Sequence, residues 1–264
     1  MLVLFTDLDG TLLDHHSYDW QPARPAITHL QSLHHALILT TSKARAEVTQ
    51  LHADMGLADP IIVENGGALC LPPGYFGPPP EGSLPRDGWD ILELGAPYPA
   101  LVEALRRAAA TSGVRVRGFS EMDIDEVARR TGLPLETARL SHQREYDEPF
   151  VVEEGDPALL CAAIDAAGFQ WTRGGRFFHI IQGCDKAKAV QALTALYRRH
   201  HPVERTIGLG DGLNDAKFLR AVDSAWLIPS AQTAQLAPLV PNARIAPHPG
   251  PAGWAHAVTA ELAA

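Results

Sequence analysis

The N-terminal stretch of the chain places two carboxylates directly after a buried strand. Leu2 to Phe5 are all apolar, and Asp7, Asp9 and Gly10 follow them closely. A run this short cannot make a helix, and it predicts a strand buried on both faces, as at the centre of a parallel sheet. Open α/β sheets bind their ligands at the carboxyl ends of such strands. Asp7 and Asp9 are therefore the first candidates for an active site.

The spacing of the two carboxylates suggests separate roles. Asp7, fixed at the strand end, is suited to act as a nucleophile, and Asp9 is suited to pass a proton to and from a departing oxygen. Carboxylates this close repel each other unless a cation lies between them, and a hard divalent ion such as Mg2+ fits their oxygens best. Taken alone, Asp-x-Asp-Gly is equally typical of an Asp-rich turn or a helix N-cap. The rest of the chain has to decide between these interpretations.

Length and composition exclude several classes of protein. The 264 residues suffice for one large domain or two modest ones, and we expect two. A formal net charge of -9, with no block of Lys or Arg, argues against nucleic-acid and anionic-membrane binding. No apolar stretch approaches the length of a membrane span, and no export signal is recognisable. The dispersed cysteines Cys70, Cys161 and Cys184 are expected to be buried thiols, so we expect a cytoplasmic protein.

Strands alternate with helices in the first and last parts of the chain. A second buried strand at residues 36–39 leads to Thr41 and Ser42, and a strand at residues 205–210 leads to Asp211. This alternation predicts a doubly wound, mostly parallel, Rossmann-like α/β sheet. Hydroxyls between a strand end and a helix start are suited to holding one oxygen of a phosphoryl group. A simple helix N-cap would show the same pattern.

The middle of the chain has a different pattern. Residues 72–88 contain six prolines and four glycines, which mark a domain break. Beyond it, short strands alternate with amphipathic helices, and a hairpin is predicted around Gly174-Gly175. We therefore predict an inserted α+β cap domain at residues 85–182. The catalytic α/β core then consists of residues 1–84 and 183–264.

Two clusters of polar residues lie in this insert. Arg144 and Glu145 belong to the first, and Arg176 and His179 belong to the second. Guanidinium groups match carboxylates or phosphates, while acids and imidazoles suit sugar hydroxyls. These four residues are candidate substrate-binding residues. A solvated loop with ordinary ion pairs is an equally good interpretation of the sequence.

Lys186 lies in the first turn of a predicted helix, where the helix dipole disfavours a positive charge. Unless it is an ordinary surface residue, such a lysine needs a bound anion or an acidic neighbour. Further along, Asp211, Asn214 and Asp215 follow the strand at residues 205–210. Acids therefore stand at a second strand end.

Four separated pieces of the sequence resemble the motifs of the haloacid dehalogenase superfamily of phosphotransferases. In chain order they are Asp7-x-Asp9-Gly10-Thr11, Thr41-Ser42, Lys186 and Gly210-Asp211-Gly212-x-Asn214-Asp215. The insert lies between the second and third pieces, as in the subclass of sugar phosphatases that carries a large α+β cap.

Further strings look like the mannosyl-3-phosphoglycerate phosphatase family. They include Thr41-Ser42-Lys43, Glu64-Asn65-Gly66-Gly67, Thr131-Gly132-Leu133-Pro134, Arg144-Glu145-Tyr146-Asp147-Glu148-Pro149-Phe150, Gly174-Gly175-Arg176-Phe177 and Gly183-Cys184-Asp185-Lys186. The chain departs from this family at Ala187, where Gly is usual, and at Gly212-Leu213, where Ser-Pro is usual.

This resemblance implies a Mg2+-dependent phosphatase that hydrolyses mannosyl- or glucosyl-3-phosphoglycerate. Asp7 would become an aspartyl phosphate, Asp9 would act as acid and then as base, and Thr41 and Lys186 would complete the catalytic set. The implied metal site consists of Asp7, the backbone carbonyl of Asp9, Asp211 and Asp215. The implied phosphate site consists of Thr41, Ser42, Lys186 and Asn214.

Two other functions stay open. A phosphatase of the same superfamily that acts on another small sugar phosphate would carry the same core motifs. In a different class, a phosphate-binding regulatory protein without turnover also uses clustered acids and a lysine. The expected partner is a small phosphorylated molecule in each case, with no nucleic acid and no membrane. A monomer and a homodimer are both compatible with the sequence.

Overall fold

The structure, a computed structural model, describes residues 1–174 and 176–264. Its strands are β1 (Leu2–Thr6), β2 (Ala36–Thr40), β3 (Ile61–Val63), β4 (Ala68–Leu71), β5 (Leu84–Arg86), β6 (Trp89–Glu93), β7 (Arg115–Gly118), β8 (Glu148–Glu154), β9 (Gln170–Arg173), β10 (Phe178–Ile181), β11 (Arg205–Gly210), β12 (Ser224–Leu227) and β13 (Arg244–Ile245). Its α-helices are α1 (Arg24–Ser32), α2 (Arg45–Asp54), α3 (Tyr98–Ser112), α4 (Ile124–Thr131), α5 (Leu135–Ser141), α6 (Pro157–Ala166), α7 (Lys186–His200), α8 (Ala216–Leu219), α9 (Thr233–Leu236) and α10 (Gly250–Leu262).

A nine-stranded sheet forms the centre of the molecule, in the order β13-β12-β11-β1-β2-β3-β4-β6-β5. The six strands from β13 to β3 are parallel to one another. The three strands β4, β6 and β5 continue the sheet in antiparallel pairing. The predicted fold class, a doubly wound and mostly parallel α/β sheet, is confirmed.

Helices cover both faces of this sheet, which explains why β1 is apolar throughout. Leu2 and Leu4 pack on one face with residues of α1 and α10. Val3 and Phe5 pack on the other face with residues of α7 and α8. All five residues of β1 are buried, and each large apolar side chain buried in this way contributes about 1.5–3 kcal/mol. The central strand is therefore held rigidly, and so is the residue that follows it.

A second, four-stranded antiparallel sheet has the order β7-β8-β10-β9. Helices α3 and α6 pack on it around Leu101, Leu160 and Phe150. Helices α4 and α5 form a separate small core that includes Phe119 and Phe177. We call residues 96–181, which contain this sheet and these helices, the small-sheet unit. It agrees with the predicted α+β insert in its type of fold.

Residues 84–93 belong to the large sheet, although the sequence interpretation assigned residues 85–93 to the insert. Strand β6 pairs with β4, with Leu69 opposite Leu92, and β5 pairs with β6 at the edge of the sheet. Pro85 is tolerated because it lies in an edge strand. Composition identifies the Pro/Gly-rich loop but gives no information on which distant strand the next segment joins. The division into core and cap stays a proposal, and the strand pairing moves its first boundary to about residue 95.

The turn predicted at Gly174-Gly175 includes Gly175, which lies outside the described residues. The flanking strands β9 and β10 do pair as an antiparallel hairpin. Cys70, Cys161 and Cys184 are all buried. Within the described part of the chain, no helix combines the length and the apolar character that crossing a bilayer requires.

Candidate active site

Three neighbouring strands bring their carboxyl ends to one edge of the large sheet. Asp7 directly follows β1, Thr41 follows β2, and Asp211 follows β11. The backbone hydrogen bonds between neighbouring strands continue one residue past the strand ends. Asp7 N donates to Leu209 O at 2.9 Å, and Thr41 N donates to Ile62 O at 3.0 Å. Residues separated by two hundred positions in the sequence therefore meet, because their strands run parallel and side by side.

Lys186 reaches this edge from the first turn of α7. Its Nζ lies 2.5 Å from Oδ1 of Asp7 and 2.7 Å from Oδ1 of Asp215. The side chain of Lys186 is only 2% exposed. The predicted acidic neighbour is thus present twice, and the two carboxylates offset the unfavourable position of this lysine at a helix N-terminus.

The loop after β11 is tied to the loop after β1. Thr11 Oγ1 donates to Oδ1 of Asp211 at 3.0 Å. Gly10 has φ +82°, and a Cβ at this position would lie 2.7 Å from Oδ2 of Asp211. A glycine is needed here both for its left-handed backbone and for the close approach of the carboxylate. Oδ2 of Asp215 accepts from the backbone N atoms of Asp211 and Gly212 at 3.1 and 3.0 Å, which shapes the second loop.

The side chain of Asp9 faces a different partner from that of Asp7. Its Oδ1 lies 3.1 Å from Nζ of Lys43, a side chain that is 11% exposed. Glu47 approaches the same Nζ at 3.7 Å, and the ring of Tyr18 lies 5.1 Å from it. Asp9 therefore belongs to the site but stands outside the group of buried acids around Lys186.

Burial and neighbouring charges shift the pKa values of this group strongly. Burial raises the pKa of Asp7 well above its usual value, and the neighbouring Asp215 raises it further while Lys186 opposes both effects. Burial and Asp215 raise the pKa of Asp211 to about 7. For Lys186, burial lowers the pKa, but Asp215 and Asp7 more than compensate and the pKa lies above its ordinary value. Asp7, Asp211 and Asp215 together thus carry more negative charge than Lys186 neutralises.

The same acids could hold a metal ion. Oxygens of Asp7, Asp211 and Asp215 all lie within 4.8 Å of one another. Such hard carboxylate oxygens fit a divalent cation such as Mg2+ or Ca2+, and a second positive charge would relieve the repulsion that raises the pKa of Asp7 and Asp211. The carboxylate of Asp9 is directed to Lys43, so only its backbone carbonyl remains as the metal ligand that the resemblance implied.

A cavity of about 190 Å³ lies between the sheet edge and the small-sheet unit. Asp7, Asp9 and Asp211 line it from the large sheet. Of the other predicted site residues, those that line it are Ser42, Asn214, Arg144, Arg176 and His179. Thr41 and Lys186 are almost fully buried next to these walls, at 1% and 3% exposure.

Glu145 does not face this cavity. Its carboxylate accepts from Arg45 Nε at 2.8 Å and from Arg86 Nη1 at 2.7 Å, on the outer side of the segment that also carries Arg144. The chain bends at Glu145, and of these two neighbours Arg144 lines the cavity while Glu145 does not. The structure therefore gives Glu145 a place in an ion-pair network, away from the position that its predicted substrate-binding role requires.

Several residues of the cavity wall were missed by the sequence interpretation. Lys43 is the most prominent, and its position directly after Ser42 at a strand end was a usable signal. Tyr18, Phe119 and Phe177 also line the wall, but they come from three distant segments and no local pattern marks them. Arg176, which was predicted, donates through Nη1 to the carbonyl of Thr131.

A parallel sheet whose central strand is followed by two aspartates, with further acids after a neighbouring strand and a lysine from a helix N-terminus beside them, defines a class of phosphoryl-transfer hydrolases. The family model described as haloacid dehalogenase-like hydrolase matches residues 4–71. A haloacid dehalogenase-like hydrolase from Bacteroides thetaiotaomicron has a similar solved structure, with a TM-score of 0.67, 16% identity and coverage of 98% of both chains. This structural likeness concerns the fold.

Two curated relatives are similar over nearly their whole length. A glucosyl-3-phosphoglycerate/mannosyl-3-phosphoglycerate phosphatase from Methanococcoides burtonii is 37% identical over 97% of this chain and 95% of its own. A protein of the same name from Persephonella marina is 35% identical over 96% of this chain and 94% of its own. The chain therefore belongs to the haloacid dehalogenase-like phosphatases, and within them to the family of these two relatives. It is a phosphoric monoester hydrolase.

Proposed function

We propose that this phosphatase hydrolyses glucosyl-3-phosphoglycerate, mannosyl-3-phosphoglycerate or both, with Mg2+ and through an aspartyl phosphate on Asp7. The observation that carries the proposal is the convergence of Asp7, Asp9, Asp211 and Lys186 at the floor of a cavity whose walls carry cations. The names of the two relatives, which match this chain almost from end to end, supply the substrate class.

Asp7, Asp211 and the backbone carbonyl of Asp9 would hold the ion, with Asp215 beside them. Bound there, Mg2+ would neutralise charge on the transferred phosphoryl oxygens and reduce the repulsion between phosphate and carboxylate. The oxygens of Asp7, Asp211 and Asp215, all within 4.8 Å of one another, support this assignment.

In the proposed reaction each of these residues has one task. An oxygen of Asp7 attacks phosphorus, and the bond between phosphorus and the glycerate oxygen breaks. Asp9 gives its proton to that oxygen as it departs, and then takes a proton from the water that attacks the aspartyl phosphate. This second attack releases inorganic phosphate and regenerates the carboxylate of Asp7. Lys186, next to Asp7, stabilises the charge that develops on the phosphoryl oxygens, and the Thr41-Ser42 loop holds the same group.

The leaving group explains the cationic wall. Its carboxylate is only a few bonds from the ester oxygen that Asp9 protonates, so it must lie near Asp9. Two cations line that region, Arg144, which is buried, and Lys43, whose side chain is 11% exposed. His179 and the hydroxyl of Tyr18 are suited to the hydroxyls of the sugar, and both line the cavity. In this proposal the small-sheet unit acts as a cap that excludes water during attack and opens for release.

Measured phosphate release over a panel of phosphorylated compounds tests the proposal. The panel contains both glycosyl-3-phosphoglycerates, a hexose phosphate, a sucrose phosphate and p-nitrophenyl phosphate, each assayed with Mg2+ and with a chelator. We expect the highest kcat/KM for a glycosyl-3-phosphoglycerate, and only with the metal. The Asp7→Asn variant, purified in the same way, controls for contaminating phosphatases. A higher kcat/KM for another sugar phosphate would establish the alternative substrate class.

A further inference from the structure

We infer that Asp147 is a positioning residue, which holds His179 and Arg144 in the cavity wall and joins both to the phosphate-binding loop. The proposed function did not assign it any role. The inference rests on the proposed function only in its choice of substrate. His179 and Arg144 would contact the part of the substrate beyond the phosphate, whichever substrate that is.

Asp147 is completely buried and is surrounded by donors. Nδ1 of His179 lies 2.9 and 3.1 Å from its two carboxylate oxygens. Nδ2 of Asn65 donates to Oδ2 at 2.6 Å, and Nη2 of Arg144 lies 3.3 Å from Oδ1. A buried carboxylate with this many donors is held in one orientation, and it holds its donors in turn.

These contacts connect the two units of the molecule. Asp147 belongs to the small-sheet unit, just before β8, whereas Asn65 belongs to the turn after β3 in the large sheet. The backbone N of Asn65 donates to Thr41 O at 2.9 Å. Nη2 of Arg144 donates to Ser42 O at 2.9 Å. The position of the wall residues is therefore set relative to the Thr41-Ser42 loop itself.

Asp147 also decides which hydrogen bond His179 can offer. Although burial tends to raise the pKa of Asp147, His179, Arg144 and Asn65 together hold it below its usual value. An ionised carboxylate keeps a proton on Nδ1 of His179, so that Nε2, the ring nitrogen facing away from Asp147, is the one available to a ligand. A ring nitrogen so directed suits a sugar hydroxyl, which can both donate and accept a hydrogen bond.

A second set of contacts fixes the backbone that carries Asp147. The carboxylate of Glu64 accepts from the backbone N atoms of Glu145, at 3.0 and 3.1 Å, and of Tyr146, at 2.8 Å. Gly67 packs so tightly against this segment that a Cβ there would collide with the Cβ of Tyr146. Asp147 is thus held by a rigid backbone, as positioning of a neighbouring ligand requires.

The test compares two substrates in two variants. Asp147→Asn keeps the shape and removes the charge, and Asn65→Ala removes the contact from the large sheet. For a glycosyl-3-phosphoglycerate we expect kcat/KM to fall about 10–100-fold, mainly through KM, as for other residues that orient a ligand-binding group. For p-nitrophenyl phosphate, which has no sugar or glycerate, we expect kcat/KM to be retained. Asp125→Asn, an exposed acid of the same unit, is the matched control.

An equal decrease in kcat/KM for both substrates would overturn the inference. An unchanged kcat/KM for both substrates would overturn it as well. Thermal unfolding of each variant is measured in parallel. If Asp147→Asn does not fold, Asn65→Ala decides alone, and failure of both to fold would overturn the inference in favour of a purely structural network. If the wild-type enzyme prefers another sugar phosphate, the proposed function fails, and the same comparison with that substrate still tests the role of Asp147.

Discussion

The Nζ atom of Lys43 lies 3.1 Å from Oδ1 of Asp9, and both side chains face the same cavity. This pair separates the two aspartates of the N-terminal motif, because Asp7 is paired with Lys186 instead. One carboxylate of the motif thus faces the buried acids, and the other faces the side of the cavity where a leaving group would lie. Burial lowers the pKa of Lys43, but Asp9 and Glu47 raise it above its ordinary value, so Lys43 stays charged.

Lys43→Met should weaken binding of substrates that carry a carboxylate next to the ester oxygen. We expect KM for glycosyl-3-phosphoglycerate to rise about 10–100-fold, because a hydrogen bond to a charged group contributes roughly 1.5–3 kcal/mol. KM for p-nitrophenyl phosphate should change much less. Lys188→Met, which alters an exposed lysine, is the control. A KM that rises equally for both substrates would contradict this role.

Asp7→Asn should abolish turnover while the protein stays folded. The pKa of Asp7 is raised by burial, so that replacing its carboxylate by a neutral amide removes an unfavourable buried charge. Asp9→Asn should lower kcat by about 10²–10⁴-fold, the usual contribution of a general acid–base group. Phosphate release and thermal unfolding of both variants are the measurements. Substantial turnover by Asp7→Asn would refute the assignment of the nucleophile.

Removal of divalent metal should abolish activity, and Mg2+ should restore it. Mg2+ should also stabilise the fold, by about 2.7 kcal/mol at a free concentration one hundred times its Kd, because it relieves the repulsion among Asp7, Asp211 and Asp215. Asp211→Asn should lose both effects, whereas Asp54→Asn, at an exposed position, should keep them. Thermal unfolding with and without Mg2+ measures the stabilisation. Full Mg2+ stabilisation of Asp211→Asn would contradict the assignment of this ligand.

The free energy of unfolding of the wild-type protein should decrease as the pH rises, because the carboxyl group of Glu64 loses its proton. Burial raises the pKa of this carboxyl, and Asp147 adds to the effect while Arg144 opposes it, so that the pKa moves from an ordinary 4.5 to about 7. Between these values the folded state binds more protons than the unfolded state, and the stabilisation present below pH 4.5 is lost as the pH rises through 7. The loss is roughly 3 kcal/mol at most, at about 1.4 kcal/mol per pKa unit.

Glu64→Gln removes this titration. The free energy of unfolding of the wild type, relative to the variant, should therefore decrease between about pH 5 and about pH 8. Urea denaturation of both proteins at several pH values measures the difference, and the variant serves as the control for all other titrating groups. Parallel pH profiles for the two proteins would contradict the prediction.

The fold class was predictable because it depends on local patterns. The apolar runs of β1, β2 and β11 indicate strands buried on both faces, and the helices between them make the sheet parallel. That geometry alone brings Asp7, Thr41 and Asp211 to one edge. The unfavourable helix position of Lys186 was a further signal, and the structure explains it by two acidic neighbours.

Other features were not predictable from local patterns. The assignment of β6 to the large sheet depends on its pairing with β4, and that of β5 on its pairing with β6. No feature of residues 84–93 specifies these pairings. The orientation of Glu145 away from the cavity depends on its ion pairs with Arg45 and Arg86, which come from distant parts of the chain. The substrate-binding roles of Arg144, Arg176 and His179 stay predictions, although all three line the cavity.

The sequence by itself determined the chemistry of this protein, because the acids and the lysine stand at strand and helix ends that periodicity alone locates. The tertiary structure decided which partner each charge has: Lys186 for Asp7, Lys43 for Asp9, and His179, Arg144 and Asn65 for Asp147. The physical reason is that a charge buried away from water must be paired across the fold. Those pairs form between segments that are distant in the chain, and the local periodicity of a sequence does not predict contacts between such segments.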